Sequence, residues 1–355
     1  MASSSHSTSG SRSARHGSSS KPRPSDIATE AKKIYIPEIK KTKQYPTFSH
    51  LFRQPLVDLV FSEPGSMGVV PPNFYVDTGD AIDYALAWQK AEVERTGVRS
   101  RIPFLCPAHE RKPAGEWETN APGYEEQIAR RSNLSAVLAT PADGQGQSNY
   151  PIPMEGGILS DTVVLFRGAH PTYQVLQNFE DLPVVSVHPM ARPKLTHNGS
   201  KYSFQDERDI VKNKLRAGLR IILWQGYTSV VVGDFGLGPY KNPPQELAEL
   251  WRDVFLYDPD LRGKFRHVAF VFADSTHSTM NIIAEDIAKK NSSSSSSGKG
   301  KSKSKKDKDH GGSGSSSGSH YPSDYAIFFS VFDNSEIQRV LSSPDPRLGL
   351  GMITS

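Results

Sequence analysis

The sequence predicts an α/β fold, a three-layer α/β/α sandwich around a mixed, largely parallel central sheet. Segments with strand character alternate with segments of helical periodicity along most of the chain, a pattern typical of successive strand and helix units. Some strands are apolar throughout, as in Val230 to Val232, and such strands are buried on both faces of a sheet. The chain of 355 residues is long enough to bury a large core.

The elements can be placed in order along the chain. A strand at residues 73–77 precedes a helix at 80–94, for which Asp80 is the predicted N-cap. Residues 325–332 fit both a helix and a strand, and we favour the helix. Their apolar character predicts that the chain returns to the core there. The other predicted strands are 102–106, 162–167, 183–187, 229–234 and 267–272, and the other predicted helices are 124–138, 204–223, 244–255 and 280–289.

Two segments lack the apolar residues that a folded domain needs. Residues 1–44 begin with a Ser-rich, basic stretch, and residues 291–320 contain thirteen serines, six lysines and six glycines. We therefore expect a disordered tail at 1–44 and a single domain at 45–355, interrupted by a disordered insertion at 291–320. The tail has the charge of a mitochondrial presequence without its apolar face, and the lysines at 299–308 also fit a nuclear-import patch.

The basic charge of the chain is confined to these two segments. The whole chain has a formal net charge of +4. Residues 1–44 hold nine Lys or Arg against three acids, and residues 299–309 hold six Lys against two acids, so the rest carries −6. An acidic body argues against a groove that grips long nucleic acids through their phosphates.

Composition also limits the compartment and the chemistry. A single cysteine, Cys106, excludes an intrachain disulfide and a Cys-based zinc or iron–sulfur site. No run of about 18 apolar residues and no apolar signal-peptide core occurs. We expect an intracellular protein, cytoplasmic or nuclear, without a membrane partner. The histidines show no metal-ligand spacing, so neither a metal nor a cofactor is expected.

Two loops that lead from a strand into a helix have unusual sequences. Residues 112–126 read KPAGEWETNAPGYEE, and residues 233–244 read GDFGLGPYKNPP. In open α/β sheets, ligands bind beyond the carboxyl ends of the strands, where helix N-termini attract anions. The glycines of the second loop would let its backbone turn sharply and approach a phosphate.

Together the two loops resemble those of the microbial-type poly(ADP-ribose) glycohydrolase family, a branch of the macrodomain fold. That family has a triple-glycine loop, a short spacer and then Gln-Glu-Glu. Here Ala114-Gly115-Glu116 occupies the glycine positions, seven residues follow, and Tyr124-Glu125-Glu126 occupies the Gln-Glu-Glu positions. The second loop, with Tyr240 at an aromatic position, is similar to the second substrate loop of the family.

This resemblance implies that the loops clasp the ADP-ribose of a polymer or of an ADP-ribosylated protein. It implies that Glu126 is the acid/base for hydrolysis of the ribose–ribose bond, with Glu125 beside it. Cleavage of such a bond needs a proton for the leaving oxygen and an activated water, which carboxyl groups can supply. The implied ligand-binding residues are Lys112, Gly115, Glu116, Tyr124, Gly236, Gly238, Tyr240 and Asn242.

Other interpretations of the same residues stay open. The pair Glu125-Glu126 also suits the positive end of a helix dipole. Glu116 places a carboxylate in the loop that would hold a diphosphate, and a positive φ at that position would strain it. The alternative function is a macrodomain module that binds ADP-ribose or another nucleotide without hydrolysing it. The neighbouring pair Arg130-Arg131 is expected to face solvent.

Overall fold

The central sheet positions every other element of the molecule. The computed structural model describes residues 22–54, 56, 70–144, 146, 148–295 and 321–342, and within them the sheet has seven strands in the order β1-β4-β5-β3-β6-β7-β2. The five strands from β5 to β2 are parallel, whereas β1 and β4 run antiparallel to their neighbours. The strands are β1 (His50–Phe52), β2 (Asn73–Thr78), β3 (Phe104–Pro107), β4 (Gly157–Arg167), β5 (Val175–Val187), β6 (Ser229–Val232) and β7 (His267–Phe272).

Helices cover both faces of this sheet. None of the helices in the described residues is long and apolar enough to cross a bilayer. A π-helical turn, Ala31–Tyr35, joins the first two helices, and a short 3-10 turn, Gly238–Tyr240, lies in the second loop. The helices are α1 (Pro24–Glu30), α2 (Ile36–Thr42), α3 (Ala81–Thr96), α4 (Tyr124–Arg131), α5 (Leu134–Leu138), α6 (Gln205–Trp224), α7 (Pro244–Tyr257), α8 (Thr279–Ser295), α9 (Asp324–Val331) and α10 (Asn334–Ser342).

Two apolar cores lie on opposite faces of the sheet. Strand β3 contributes to both, because successive side chains of a strand point to opposite faces. Phe104 and Cys106 pack into the core that contains residues of α3, α4 and α5, whereas Leu105 packs into the core with residues of α6, α7 and α9. Helix, sheet and helix therefore form three layers, and the predicted fold class is confirmed.

The predicted helix at 124–138 is two helices. Ser132 adopts an extended conformation after α4, and its hydroxyl donates to the carbonyl of Ile128 at 2.7 Å. Asn133 then pairs with Val164 of β4: its backbone N–H donates to the Val164 carbonyl at 3.0 Å, and its side-chain oxygen accepts the Val164 N–H at 2.8 Å. Short polar side chains compete with the helical hydrogen bonds in this way. The preference for a helix at 325–332 is confirmed by α9.

The prediction of a disordered tail over 1–44 is wrong for residues 24–42. Helices α1 and α2 pack on the body, with Ile27 and Ile39 buried at 2% and 0% exposure. Tyr35, between them, stacks on Phe166 of β4 with ring centroids 4.4 Å apart. The prediction used the average composition of residues 1–44, which is polar. The few apolar residues within 24–42 have helical spacing and therefore lie on one face of the helices. Residues 1–21 lie outside the described residues.

The N-terminal helices also form ion pairs with the body, and helix α8 extends into the first residues of the predicted insertion. Nη2 of Arg167 donates to Oε2 of Glu30 at 2.6 Å, and Nζ of Lys32 lies 2.9 Å from Oε2 of Glu118 in the first loop. Helix α8 continues to Ser295 instead of ending near 290. Residues 296–320, most of the predicted insertion, lie outside the described residues.

The packing of α2 gives a direct test of its contribution to stability. Ile39→Ala should lower the free energy of unfolding by about 2 to 5 kcal/mol, because it leaves a cavity in a closed core. Ile34→Ala is the matched control, since Ile34 is 53% exposed. Chemical denaturation of the full chain measures both, and equal effects would contradict the packing described here.

Candidate functional site

The two loops leave the sheet side by side. Strands β3 and β6 are parallel neighbours, with Phe104 opposite Val231 and Leu105 opposite Val232. The first loop follows β3 and the second follows β6, so both lie at the carboxyl edge of the sheet. The pKa of the Tyr240 hydroxyl in the second loop is raised by burial and then by the charges of Glu125, Cys106 and Glu126. The Tyr240 hydroxyl therefore lies within electrostatic range of the carboxyl pair.

The carboxylate of Glu126 fills a space that two glycines leave open. Its Oε1 accepts the backbone N–H of Glu116 at 3.2 Å. A Cβ on Gly115 would stand 2.3 Å from Oε1, and a Cβ on Gly123 would stand 1.9 Å from Oε2. Both distances are far below van der Waals contact, so any side chain at either position would displace the carboxylate. The first loop and Glu126 are thus fitted to each other.

Glu125 has a different environment from its neighbour. It is 3% exposed, its Oε2 accepts the backbone N–H of His109 at 2.7 Å, and its Oε1 is buried without a hydrogen-bond partner. Burial raises the pKa of the Glu125 carboxyl well above its ordinary value, and the charge of Glu126 acts in the same direction. Burial likewise raises the pKa of the Cys106 thiol beneath the pair. The two neutral forms are favoured here.

Arg130 shapes the first loop from inside, so the prediction of a solvated arginine is wrong. The residue is 1% exposed. Its Nε donates to the carbonyl of Trp117 at 2.8 Å, and its Nη2 donates to the carbonyls of Thr119 and Ala121 at 3.0 and 2.6 Å. The planar fork of a guanidinium can hold several carbonyls in fixed positions. Arg130 of α4 thereby fixes the backbone conformation of the loop that precedes this helix.

Arg131 and Tyr124 tie α4 to the start of α3. Arg131 is also 1% exposed, and its Nη2 lies 3.1 Å from Oδ1 of Asp80 and 2.8 Å from Oδ1 of Asp83. Asp80 is the N-cap of α3, as predicted. The hydroxyl of Tyr124 accepts the backbone N–H of Ala81 at 2.9 Å, so it holds the start of α4 against the start of α3.

Backbone strain in the first loop falls on Ala114 rather than on Glu116. Ala114 has φ +59° and Gly115 has φ +54°, whereas Glu116 is not in the left-handed region. A residue with a Cβ in that region costs about 1 to 3 kcal/mol. The exposed carboxylate of Glu116 accepts a hydrogen bond from Nζ of Lys112 at 2.7 Å, and this bond lowers the pKa of the Glu116 carboxyl. Lys112 thus offsets the charge that Glu116 brings.

The second loop is held from within by Asn242, which is 1% exposed. Its Nδ2 donates to the carbonyls of Gly236 and Met190 at 2.7 and 2.8 Å, and its Oδ1 accepts the hydroxyl of Tyr202 at 3.0 Å. Gly236 has φ +81°, a conformation that favours glycine. Asn242 therefore sets the shape of the loop, and both N–H groups of its side-chain amide are already used.

Gly238, with φ +56°, connects the second loop to the last part of the chain. Its backbone N–H donates to Oγ1 of Thr279 at 2.7 Å, and that hydroxyl donates to Oδ2 of Asp324 at 2.6 Å. Thr279 begins α8 and Asp324 begins α9, so helices on both sides of the insertion support this loop.

The sequence analysis missed His188, which lies beside Tyr240. Its Nδ1 is 3.0 Å from the carbonyl oxygen of Ala108, its ring centroid is 6.4 Å from that of Tyr240, and burial lowers the pKa of the imidazole. The signal was available, because His188 directly follows β5 at the carboxyl edge of the sheet. No group of three or more His, Cys, Asp or Glu suited to a metal ion occurs in the described ranges.

The comparisons with known proteins agree with the fold. No protein-family model matches the chain, and no curated protein matches its sequence. The solved structure of poly(ADP-ribose) glycohydrolase from Thermomonospora curvata matches with a TM-score of 0.52 and 18% identity, covering 70% of this chain and 92% of that chain. The same protein bound to the inhibitor ADP-HPD matches with a TM-score of 0.53 and 17% identity, covering 74% and 98%.

A poly(ADP-ribose) glycohydrolase from Deinococcus radiodurans in complex with ADP-ribose also matches, with a TM-score of 0.45, 18% identity and coverage of 68% and 94%. At these identities a likeness establishes fold, and the two Thermomonospora comparisons establish it here. The chain has the macrodomain-like fold of bacterial-type poly(ADP-ribose) glycohydrolase catalytic domains. The resemblance carried by the two loops is therefore confirmed at the level of fold.

Asp234, at the start of the second loop, makes the stability of the protein depend on pH. Burial, helped by the charge of Asp324, raises its pKa from 3.8 to about 6. The folded state thus binds a proton that the unfolded state has already released, so stability falls as pH rises from about 4 to 6. We expect Asp234→Asn to increase the free energy of unfolding at pH 7 by about 2 to 3 kcal/mol, with no gain near pH 4.

Denaturant titrations at pH 4 and pH 7 measure this difference. Asp274→Asn is the matched control, because hydrogen bonds from Thr276 lower the pKa of the exposed Asp274 carboxyl. It should give no gain at either pH. Equal stability of Asp234→Asn and the parent protein at pH 7 would show that ionising the buried Asp234 carboxyl does not destabilise the folded state.

Proposed function

We propose that this protein is an ADP-ribosyl glycohydrolase that removes ADP-ribose from polymers or from modified proteins. The observation that carries the proposal is the carboxylate of Glu126, enclosed by Gly115 and Gly123 in the first of two facing loops. The fold shared with poly(ADP-ribose) glycohydrolases supports it. In this proposal the glycine-rich backbones of both loops face the diphosphate, and Tyr240 packs against the distal ribose.

Glu126 is the proposed acid/base. Hydrolysis of the ribose–ribose bond breaks the bond between the anomeric carbon and the leaving oxygen, and water adds to that carbon. Glu126 donates a proton to the leaving oxygen, and the proton released by the water restores the carboxyl. Glu126 is only partly buried, and its carboxylate lies in the loop. Glu125, buried and bonded to His109, positions the turn before the loop.

The ligand-binding residues implied by the resemblance have distinct roles in this proposal. Gly115, Gly236 and Gly238 allow the backbone to approach the diphosphate, since all three adopt left-handed conformations. Lys112 balances the charge of Glu116 at the mouth of the first loop. Tyr124 and Asn242 act beneath the ligand, because their polar groups hold the backbone of α3 and of the second loop.

A binding module without hydrolysis is the second candidate. One observation favours it: Oε1 of Glu126 already accepts the backbone N–H of Glu116, so the loop engages the carboxylate that hydrolysis would need. The exposed carboxylate of Glu116 also lies at the mouth of this loop. Such a module would bind ADP-ribose and leave the glycosidic bond intact, so binding and turnover must be measured separately.

Glu126→Gln separates the catalyst from the binder. The amide keeps the size of the side chain and loses the acid, so release of ADP-ribose from an ADP-ribosylated protein should fall by about 10² to 10⁴-fold. The affinity for ADP-ribose, measured by calorimetry, should stay within a few-fold. Glu94→Gln, on an exposed turn near the far end of α3, is the control for loss of one charge. Binding without turnover in the parent protein would establish the second candidate.

Gly123→Ala tests the geometry without touching either carboxyl. Gly123 has φ −56° and ψ 150°, which alanine adopts readily, yet its Cβ would occupy the position of Oε2 of Glu126. We expect turnover to fall about as far as in Glu126→Gln, with little change in the unfolding midpoint. The double variant should be no slower than either single variant. Full activity of Gly123→Ala would show that the carboxylate works from another position.

A further inference from the structure

A separate cavity lies between the second loop and α8. Its volume is about 500 Å³, within the usual range for ligand sites. The chain that follows β5, the two residues before α6, one face of α8 and Lys241 of the second loop line it. Among the described residues that line this cavity, none belongs to the first loop or to the carboxyl pair. The cavity is therefore distinct from the candidate active site.

The rim of this cavity is basic, although the chain outside its two basic sequence segments carries a net charge of −6. Two acids lie close to the rim. Asp286 pairs with Lys241, and Oε2 of Glu207 accepts the backbone N–H of Lys194 at 2.8 Å. The cations outnumber these acids, and a local excess of positive charge attracts an anion. The four rim cations are Arg192, Lys194, Lys241 and Lys290.

Two of the rim cations stand on strained backbone. Arg192 has φ +53° and Lys241 has φ +58°, conformations that residues with a Cβ rarely adopt. Hydrogen bonds hold the two segments in place: the backbone N–H of Arg192 donates to the carbonyl of Tyr240 at 2.7 Å. Nδ2 of Asn242 donates to the carbonyl of Met190 at 2.8 Å. Strain of this kind is concentrated at binding and catalytic sites, so these two residues point to a ligand site.

The walls of the cavity are apolar. Leu195 and Phe204 come from the segment before α6, and Ile283 and Ile287 come from α8. Phe204 is 51% exposed, and Nζ of Lys194 lies 5.3 Å from the centroid of its ring. A flat ring packed on these side chains would remove them from water, which favours binding. An inorganic anion would leave the walls in contact with water.

We propose that this cavity binds a small organic phosphate that carries a flat ring, as a nucleoside monophosphate does. The phosphate lies among the rim cations, and the guanidinium of Arg192 offers it two parallel N–H groups. The ring lies against Phe204 and the isoleucines of α8. The inference goes beyond the proposed function and does not depend on it, because no residue assigned to hydrolysis lines the cavity.

Calorimetry with uridine monophosphate (UMP) on the full chain tests this site, because uracil is not part of ADP-ribose. We expect one UMP to bind per chain, at least about ten-fold more tightly than uridine, which lacks the phosphate, or inorganic phosphate, which lacks the ring. Lys194→Glu with Lys290→Glu should weaken UMP binding by at least about ten-fold, because both reverse a rim charge. Lys201→Glu with Lys289→Glu, on the same two segments but outside the lining, should change it by less than about two-fold.

Phe204→Ala tests the contact with the ring separately. It should weaken UMP binding by about five-fold and leave the affinity for inorganic phosphate unchanged, since only the ring of UMP packs on Phe204. The exposure of Phe204 means that its loss opens no cavity in a core. Phe329→Ala is the matched control, because Phe329 is 53% exposed and lies outside the lining.

The outcomes separate this site from the proposed function. Absence of UMP binding in the parent protein, or binding that survives Lys194→Glu with Lys290→Glu, would overturn the site. Inorganic phosphate that binds as tightly as UMP would show a simple anion site and overturn the inference. Release of ADP-ribose, which tests the proposed function, should be lost in Glu126→Gln and retained in Lys194→Glu with Lys290→Glu.

Discussion

The parallel pairing of β3 with β6 is the constraint on which the candidate site depends. Parallel neighbours end at the same edge of a sheet, so the loops that follow Pro107 and Val232 must lie beside each other. Residues more than a hundred positions apart in the chain, such as Glu126 and Tyr240, are thereby brought across one gap. The sheet supplies the rigid support, and the loops supply the chemistry.

Buried arginines then fix the loops with more precision than the sheet can. Arg130 and Arg131 are adjacent in α4, yet one holds three carbonyls of the first loop and the other holds the acidic start of α3. Removing one partner of such a buried charged group is expensive, because the charge is left without compensation. Asn242 does the same for the second loop with a neutral amide. The hydrogen bonds of Arg130 and Asn242 therefore determine where the glycines of the two loops lie.

Electrostatic differences divide the site into parts with separate tasks. Burial favours the protonated form of Glu125, whereas Glu126 lies against an open loop and accepts a backbone N–H.

The sequence by itself determined the fold class, the position of most strands and helices, and the two loops, because alternation of apolar residues and the placement of glycines are local properties. Through the resemblance of the first loop to a known family it also drew attention to Glu125 and Glu126, whose role stays a prediction. It did not reveal that residues 24–42 are helical and packed on the body. A few apolar residues in a polar segment stabilise a helix only when a surface of the folded domain is there to bury them. Only the tertiary structure decided which member of a pair is buried. Glu125 and Glu126 look equivalent in sequence, and so do the exposed and buried states of Arg130 and Arg131, which were expected to face solvent and are buried. The burial of each side chain depends on which distant segments pack around it.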